Sequence, residues 1–206
     1  MLTVKDLTFA FKNRPLFHNI SFEVGSGMLL RLAGANGSGK STLLSLISGL
    51  MSGATGSIKF EGPDDFRSWT SWIAPDANGL TPTLPATKNI GFWMELRQIP
   101  TDPDLIHETL NRWGLTGEWI QSSLPVSKFS TGMKRRLALV RLELEGTKLW
   151  LLDEPLFGLD DAACKQFRET LRKHLSAGGA AVVVTHDERV LEGIPHRTIT
   201  LGEAAV

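Results

Sequence analysis

The chain of 206 residues alternates short apolar runs with turns that are rich in glycine, proline and polar residues. In its first third, each apolar run has the length of a single strand. A turn at residues 12–15 separates the first two runs. The strands predicted in this region span residues 2–11, 20–24, 28–33, 56–60 and 71–75.

Helical and extended patterns alternate along much of the remaining chain. After the third predicted strand, an apolar stripe at helical spacing predicts a helix over 41–50, and glycines follow it. Towards the C-terminus the pattern predicts strands at 149–154, 180–186 and 197–201 and a helix at 160–179. Because strands that alternate with helices favour parallel pairing, we predict an α/β fold with a mostly parallel sheet.

The segment from about 78 to 128 has a different character, because prolines punctuate it and strand patterns are absent. Within it, Asp102 is a predicted N-cap, Pro103 occupies the first helical position and Gly114 ends the helix. We therefore predict a small helical lobe inserted into an α/β core. The predicted division of this single domain, 1–206, is a core lobe of about 1–77 and 136–206 and a helical lobe of about 78–135.

Composition excludes several classes of function. Lysine plus arginine and aspartate plus glutamate both number 22, and this zero net charge argues against a nucleic-acid-binding protein. Cys164 is the single cysteine, so an internal disulfide is excluded and a reducing compartment is expected. We predict that it packs in a core rather than reacts. The sequence shows no signal peptide, and its longest apolar run is far shorter than the roughly 20 residues of a membrane span, so we expect a soluble chain.

The stretch GANGSGKS fits the pattern G-x-x-x-x-G-K-[ST] and lies between a predicted strand and a predicted helix. Glycines allow the backbone to approach anionic oxygens, and the N–H groups of such a loop point inward. In this pattern Lys40 reaches the β- and γ-phosphates, and the Ser41 hydroxyl is a ligand for Mg²⁺. The predicted nucleotide contacts are Gly34, Ala35, Asn36, Gly37, Ser38, Gly39, Lys40, Ser41 and Thr42.

Two other strands end in polar residues that suit a nucleotide site. Asp153 and Glu154 follow an apolar strand, where Asp153 is placed to hold Mg²⁺ through water and Glu154 to accept a proton from attacking water. A carboxylate pair facing solvent is the alternative. His186 ends another apolar strand at the same predicted edge, where it could sense the γ-phosphate or have a purely structural role.

A second glycine turn, FSTGMKRR at 129–136, precedes a stripe of apolar residues at helical spacing. Ser130 and Gly132 therefore lie at a predicted helix N-terminus, where backbone N–H groups and the helix dipole favour an anion. By itself such a turn is an ordinary helix cap. It gains meaning from its position between the glycine loop and the carboxylate pair.

Together these motifs resemble the ATP-binding cassette (ABC) family over nearly the whole chain. GANGSGKS is similar to the Walker A motif, LWLLDE to Walker B, FSTGMKRR to the signature, FGLD at 157–160 to the D-loop and VVTHD at 183–187 to the switch-histidine segment. The resemblance implies an ATPase that uses ATP and Mg²⁺. It also implies a homodimer or heterodimer in which the signature of one subunit closes over the ATP of the other.

Two further site residues follow from the resemblance alone. Phe11 occupies the place of an aromatic that stacks on adenine, although it could equally belong to the core. Asp76 stands where the family has a glutamine that contacts the metal, with Asn78 as the competing candidate for that role. The signature also departs from the commonest pattern, with Thr131 and Met133 in place of glycine and glutamine.

The chain most resembles the ATP-binding subunit of the heme exporter of cytochrome c maturation, and also subunits of drug, lipid or polysaccharide exporters. The resemblance implies an integral membrane partner, no nucleic acid, and peripheral association with the cytoplasmic face of the inner membrane. Aromatic residues in or beside the helical lobe, together with Met94, could dock that partner or fill a small core; the aromatic residues are Trp69, Trp72, Phe92, Trp93, Trp113 and Trp119. A nucleotide-dependent scaffold without transport is an alternative, whereas a GTPase is disfavoured because NKxD is absent.

Overall fold

The structure is a computed structural model that describes residues 2–12, 14–61, 69–75, 79–100, 102–117 and 124–202. Strands and helices alternate along these residues, as the sequence predicts. The strands are β1 Leu2–Phe11, β2 Arg14–Val24, β3 Leu29–Gly34, β4 Thr55–Phe60, β5 Thr70–Ile73, β6 Leu149–Asp153, β7 Ala180–Val184 and β8 Arg197–Leu201. The α-helices are α1 Lys40–Ile47, α2 Ala86–Leu96, α3 Pro103–Arg112, α4 Thr131–Glu145 and α5 Asp161–Ser176.

The strands form two sheets. The N-terminal sheet is antiparallel, with the order β2–β1–β4. The second sheet has five strands in the order β5–β6–β7–β3–β8, and all of its neighbouring pairs are parallel. In a parallel sheet every strand ends at the same edge, so the polar residues after β3, β6 and β7 are brought to one edge.

The parallel sheet is buried on both faces. Along β6, Leu151 packs into a cluster with the antiparallel sheet and α1, whereas Trp150 and Leu152 pack into a cluster with the other four helices. Alternate side chains of a strand point to opposite faces, and both faces here are covered. This accounts for the uninterrupted apolar sequence of β6 and β7. Cys164 lies in the helical cluster and is 1% exposed, so its predicted burial is confirmed.

Helix boundaries follow local sequence where capping residues are present. The side chain of Asp102 accepts a hydrogen bond from the Asp104 amide at 2.9 Å, and Pro103 begins α3, as predicted. Helix α2 is not anticipated individually, because it begins after Pro85 without a side-chain cap and contains Gly91. The structure also begins β2 at Arg14, which shortens the predicted turn at 12–15.

The aromatic residues of the helical region are mostly packed. Trp113 is 2% exposed, and Trp69, Trp72 and Trp93 are partly buried, whereas Phe92 is 46% exposed. Trp119 lies outside the described residues. No helix in the described parts of the chain is long and apolar enough to cross a membrane.

Candidate functional site

The glycine loop connects β3 to α1 and adopts a backbone that requires glycine. Gly37 and Gly39 have φ angles of 83° and 91°, in the left-handed region that side chains disfavour. A Cβ atom on Gly39 would also lie 2.9 Å from the Phe17 ring. Gly39 is the N-cap of α1 and no side chain caps this helix end. The loop therefore delivers the N-terminus of α1, with its favourable dipole, to the edge of the sheet.

The Lys40 side chain folds back over this loop. Its Nζ donates hydrogen bonds to the carbonyl oxygens of Gly34 at 2.7 Å and Ala35 at 2.9 Å. The side chain is largely buried, so its charge is held against the loop. The buried hydroxyl of Ser38 has no hydrogen-bond partner among the described residues.

Asp153, at the end of β6, is a buried carboxylate beside Ser41. It is 2% exposed, and its Oδ2 atom has no hydrogen-bond partner within the described part of the chain. Burial raises the pKa of Asp153 above its ordinary value, although the neighbouring Ser41 hydroxyl and the Lys40 ammonium oppose the rise. A buried carboxylate oxygen without a partner is costly. Carboxylate and hydroxyl oxygens suit Mg²⁺, so the pair fits that ion.

Glu154 is held by the end of the neighbouring strand. Its backbone has a φ angle of 47°, a strained conformation for a residue with a side chain, and its amide donates to the Val184 carbonyl at 2.8 Å. Its carboxylate accepts from the Thr185 hydroxyl at 3.2 Å and from the His186 amide at 3.1 Å. The His186 Nε2 atom lies 3.9 Å from Glu154 Oε1, and the imidazole is mostly exposed. Thr185 is a contact that the sequence analysis missed.

These groups share one cleft of about 830 Å³. Most of the nucleotide contacts predicted in the glycine loop line it, whereas Gly34, Ala35 and Ser38 do not. The cleft residues are Phe11, Arg14, Leu16, Asn36, Gly37, Gly39, Lys40, Ser41, Thr42, Met51, Pro75, Asp153, Glu154, Val184 and His186. A volume of this size suits a nucleotide.

Phe11 lies at the rim of this cleft and is 54% exposed. A side chain that exposed is not core, so the structure excludes the core interpretation of Phe11. Arg14, Leu16 and Met51 line the same cleft. Sequence analysis missed these three, because their place in the cleft depends on the β1–β2 hairpin and on the segment after α1.

Ser130 and Gly132 do not line this cleft. The Ser130 hydroxyl accepts a hydrogen bond from the Met133 amide at 3.2 Å and caps α4, and Ser130 is exposed. A Cβ atom on Gly132 would lie 2.6 Å from the Gly158 carbonyl oxygen, so glycine permits a close contact with the FGLD segment. The signature is thus a surface feature apart from the cleft of its own chain. Asp76 and Asn78 lie outside the described residues.

Comparisons with known proteins agree with these motifs. The family model described as ABC transporter matches residues 17–157. The cytochrome c biogenesis ATP-binding export protein CcmA of Vibrio vulnificus (strain YJ016) is 33% identical over 98% of this chain and 100% of its own length. The CcmA protein of Nitrosomonas europaea is 36% identical over 94% of this chain and 92% of its own.

Solved structures give the same result for the fold. The ATP-binding subunit of an ABC transporter matches with a TM-score of 0.84 and 26% identity, over 98% of this chain and 85% of that one. A dimeric bacterial ABC transporter cassette matches with a TM-score of 0.82 and 23% identity, over 98% of this chain and 95% of the other. The predicted α/β P-loop fold of the ABC type is confirmed.

Proposed function

Because the chain belongs to the ABC transporter family, in which it is an ATPase subunit, we propose that it dimerises around two ATP molecules and drives a separate membrane subunit. The observation that carries this proposal is the contrast between a nucleotide-sized cleft and a signature segment outside it. Each chain offers one phosphate cradle, which is the glycine loop at residues 34–42, and one exposed glycine turn, which is the signature at residues 129–136. A second copy is needed to bring the two together.

On the cradle side, the loop and α1 bind the phosphates. The N–H groups around Gly37, Gly39 and Lys40 receive the anionic oxygens, and the Lys40 ammonium exchanges its loop carbonyls for phosphate oxygens. Asp153 and Ser41 would hold Mg²⁺, which neutralises charge on the β- and γ-phosphates. Phe11 offers its exposed ring to the base.

On the chemical side, Glu154 accepts a proton from the attacking water. Its carboxylate is already oriented by Thr185 and by the His186 amide, so it needs little reorganisation. His186 lines the cleft and has an exposed imidazole near this carboxylate, which supports a role in sensing the γ-phosphate. Ser130 and Gly132 of the second copy complete the site by presenting an uncharged hydroxyl and backbone N–H groups at a helix N-terminus.

The transport role rests on the curated relatives, which are named for cytochrome c biogenesis export and match this chain nearly end to end. We assign the chain to the heme exporter of cytochrome c maturation. It lies on the cytoplasmic face of the inner membrane and is held there by an integral membrane subunit. An exporter of drugs, lipids or polysaccharides has the same motifs but is not the function that these relatives are named for.

Glu154→Gln tests this function. Glutamine keeps the size of the side chain but cannot accept a proton, so we expect ATP binding to persist and turnover to fall about a thousandfold. Light scattering should show a dimer that depends on ATP and outlasts that of the wild type. Normal hydrolysis in the variant would exclude Glu154 as the base. A wild-type protein that binds ATP without hydrolysing it would favour a scaffold instead.

A further inference from the structure

Strand β5 forms one edge of the parallel sheet, and among the described strands none covers its outer side. The backbone groups of an edge strand need other partners. Alternate residues of a strand direct their backbone groups to the same side. The carbonyl groups of Thr70, Trp72 and Ala74 therefore share one edge.

Arginine side chains from two helices bind these carbonyl groups in order. One arginine comes from the turn that ends α2, and two come from α4, the helix that begins at the signature. The contacts are Arg97 Nη2 to Thr70 O at 2.9 Å, Arg141 Nη2 to Trp72 O at 3.0 Å and Arg135 Nη1 to Ala74 O at 3.0 Å. We call this set the arginine ladder.

Arg135 makes a second contact that distinguishes it from the others. Its Nη2 atom donates to the Pro75 carbonyl at 2.6 Å, and Pro75 lines the nucleotide cleft. The side chain is 1% exposed. It lies in the second turn of α4, close to the exposed Ser130 at the start of that helix. One guanidinium thus joins the cleft wall to the signature helix.

Arg97 and Arg141 lie farther from the cleft and share a counter-ion. Their Nε atoms lie 3.5 Å and 3.4 Å from Glu145 Oε1, and both contacts are ion pairs, because this oxygen has no hydrogen-bond partner among the described residues. The Ser71 hydroxyl donates to the other oxygen of Glu145. These contacts fix α2, α4 and β5 to one another at the end of the strand that is remote from the cleft.

We propose that Arg135 is a positioning residue that couples nucleotide occupancy of the cleft to the orientation of the signature at the start of α4. The proposal rests on the ATP-dependent dimer of the proposed function and adds a route by which each chain prepares its signature for the partner. A guanidinium bound to two successive carbonyl groups fixes direction as well as distance. Since the Arg135 side chain is fully buried, we expect Pro75 and α4 to move as one body.

Arg135→Met tests this coupling, with Arg97→Met as the matched control. Methionine fills much of the space but donates nothing. We expect Arg135→Met to lower kcat about tenfold and to weaken the ATP-dependent association of two chains about tenfold. The affinity of the isolated chain for a fluorescent ATP analogue should stay within about twofold of wild type. Arg97→Met removes a bond of the same kind from the far end of the strand. It should lower the melting temperature but leave kcat within about twofold.

Equal losses of kcat in the two variants, or an unchanged kcat in Arg135→Met, would overturn the assignment. If Arg135→Met does not fold, Arg135→Lys decides the question. Lysine keeps the charge but has no planar fork, so we expect a folded protein whose kcat stays about threefold or more below wild type. Full activity of Arg135→Lys would show that charge alone suffices. A wild-type chain that neither hydrolyses ATP nor dimerises would refute the proposed function instead.

Discussion

Helices α1 and α4 both begin at a short turn that contains glycine, but their N-termini are completed in different ways. At α1 the N-cap is Gly39 in the left-handed region, and no side chain accepts from the first turn. At α4 the Ser130 hydroxyl caps the Met133 amide. The first helix end depends on a ligand for its hydrogen bonds, whereas the second is already capped.

The surroundings of the two helix ends differ as well. The N-terminus of α1 lies in a cleft together with Asp153 and Glu154. The N-terminus of α4 lies outside that cleft, against the FGLD segment, where Phe157 is 63% exposed. Glycine therefore permits phosphate approach within the chain's own cleft in one turn. In the other turn it permits close packing against the FGLD segment and, in the proposed function, presents backbone N–H groups to the ATP of the partner. This difference explains why a single chain needs both turns.

The largest expected effect comes from disabling the phosphate cradle in one chain and the signature in another. Lys40→Ala disables the cradle, and Ser130→Arg blocks the signature surface, so each variant alone should lose about a hundredfold in ATPase rate. In a mixed dimer one site combines an intact cradle with an intact signature. Mixing the two purified variants should therefore restore a sizeable part of the wild-type rate.

Titrating one variant into the other at fixed total protein measures this rescue, and a second preparation of the same variant serves as the control. Activity that stays at the level of the separate variants would mean that cradle and signature do not meet across a dimer. Substantial activity of Ser130→Arg alone would exclude the signature from the site.

A smaller effect is expected where Asp76 or Asn78 is proposed to contact the metal. An aspartate ligand adds charge attraction to Mg²⁺, so Asp76→Ala should raise the Mg²⁺ concentration for half-maximal ATPase about fivefold, while Asn78→Ala should not. The matched pair is measured by Mg²⁺ titration at saturating ATP. The reverse ranking would assign the role to Asn78, and two unchanged titrations would remove this loop from the metal site.

The cradle is largely predictable from sequence, whereas the arginine ladder is not. Buried strands and the glycine loop leave local patterns, and for that reason β6 and β8 are predicted within one residue of their observed bounds. The targets of Arg135 and Arg141 are backbone carbonyls in β5 and just after its end, far away in the sequence. No spacing of residues encodes such a contact, and a basic run such as MKRR is equally typical of an exposed helix face.

The exposure of individual side chains also cannot be predicted from the sequence pattern. Phe11 and Phe9 both lie on β1, yet Phe11 is exposed at the cleft and Phe9 is buried. Register shifts interrupt the pairing of β1 with β2, so simple alternation does not hold along the strand. Which side chain of β1 lines the cleft therefore depends on those register shifts.

A further glycine turn, at Gly178–Gly179 after α5, packs against the His174 side chain. His174 stacks on Trp150 with ring centroids 3.8 Å apart, and its Nε2 atom lies 3.0 Å from the Ala180 carbonyl. A Cβ atom on Gly179 would collide with the imidazole. This turn lies at the opposite end of the sheet from the cleft, so changes here should affect stability and leave ATP chemistry unchanged.

His174→Phe measures that contribution through its pH dependence. Burial lowers the pKa of His174, and nearby Lys148 lowers it further, although the hydrogen bond to the Ala180 carbonyl opposes the fall. The unfolded chain therefore binds a proton more readily than the folded one. Stability from the neutral imidazole is therefore complete above the ordinary histidine pKa of about 6.5 and is lost as pH falls through it. Phenylalanine keeps the stacking on Trp150 and does not titrate.

We expect the wild-type unfolding free energy to fall by about 1 kcal/mol more than that of His174→Phe between about pH 7.5 and pH 5. Denaturant titration at each pH provides this difference, which cancels titrating groups common to both proteins. Glu143 and Lys173 line the cavity beside the imidazole and remain in both. The ATPase rate at neutral pH should be the same in the two proteins. Parallel stability curves would mean that His174 is not buried in its neutral form, and a changed ATPase rate would mean that this glycine turn is not confined to packing.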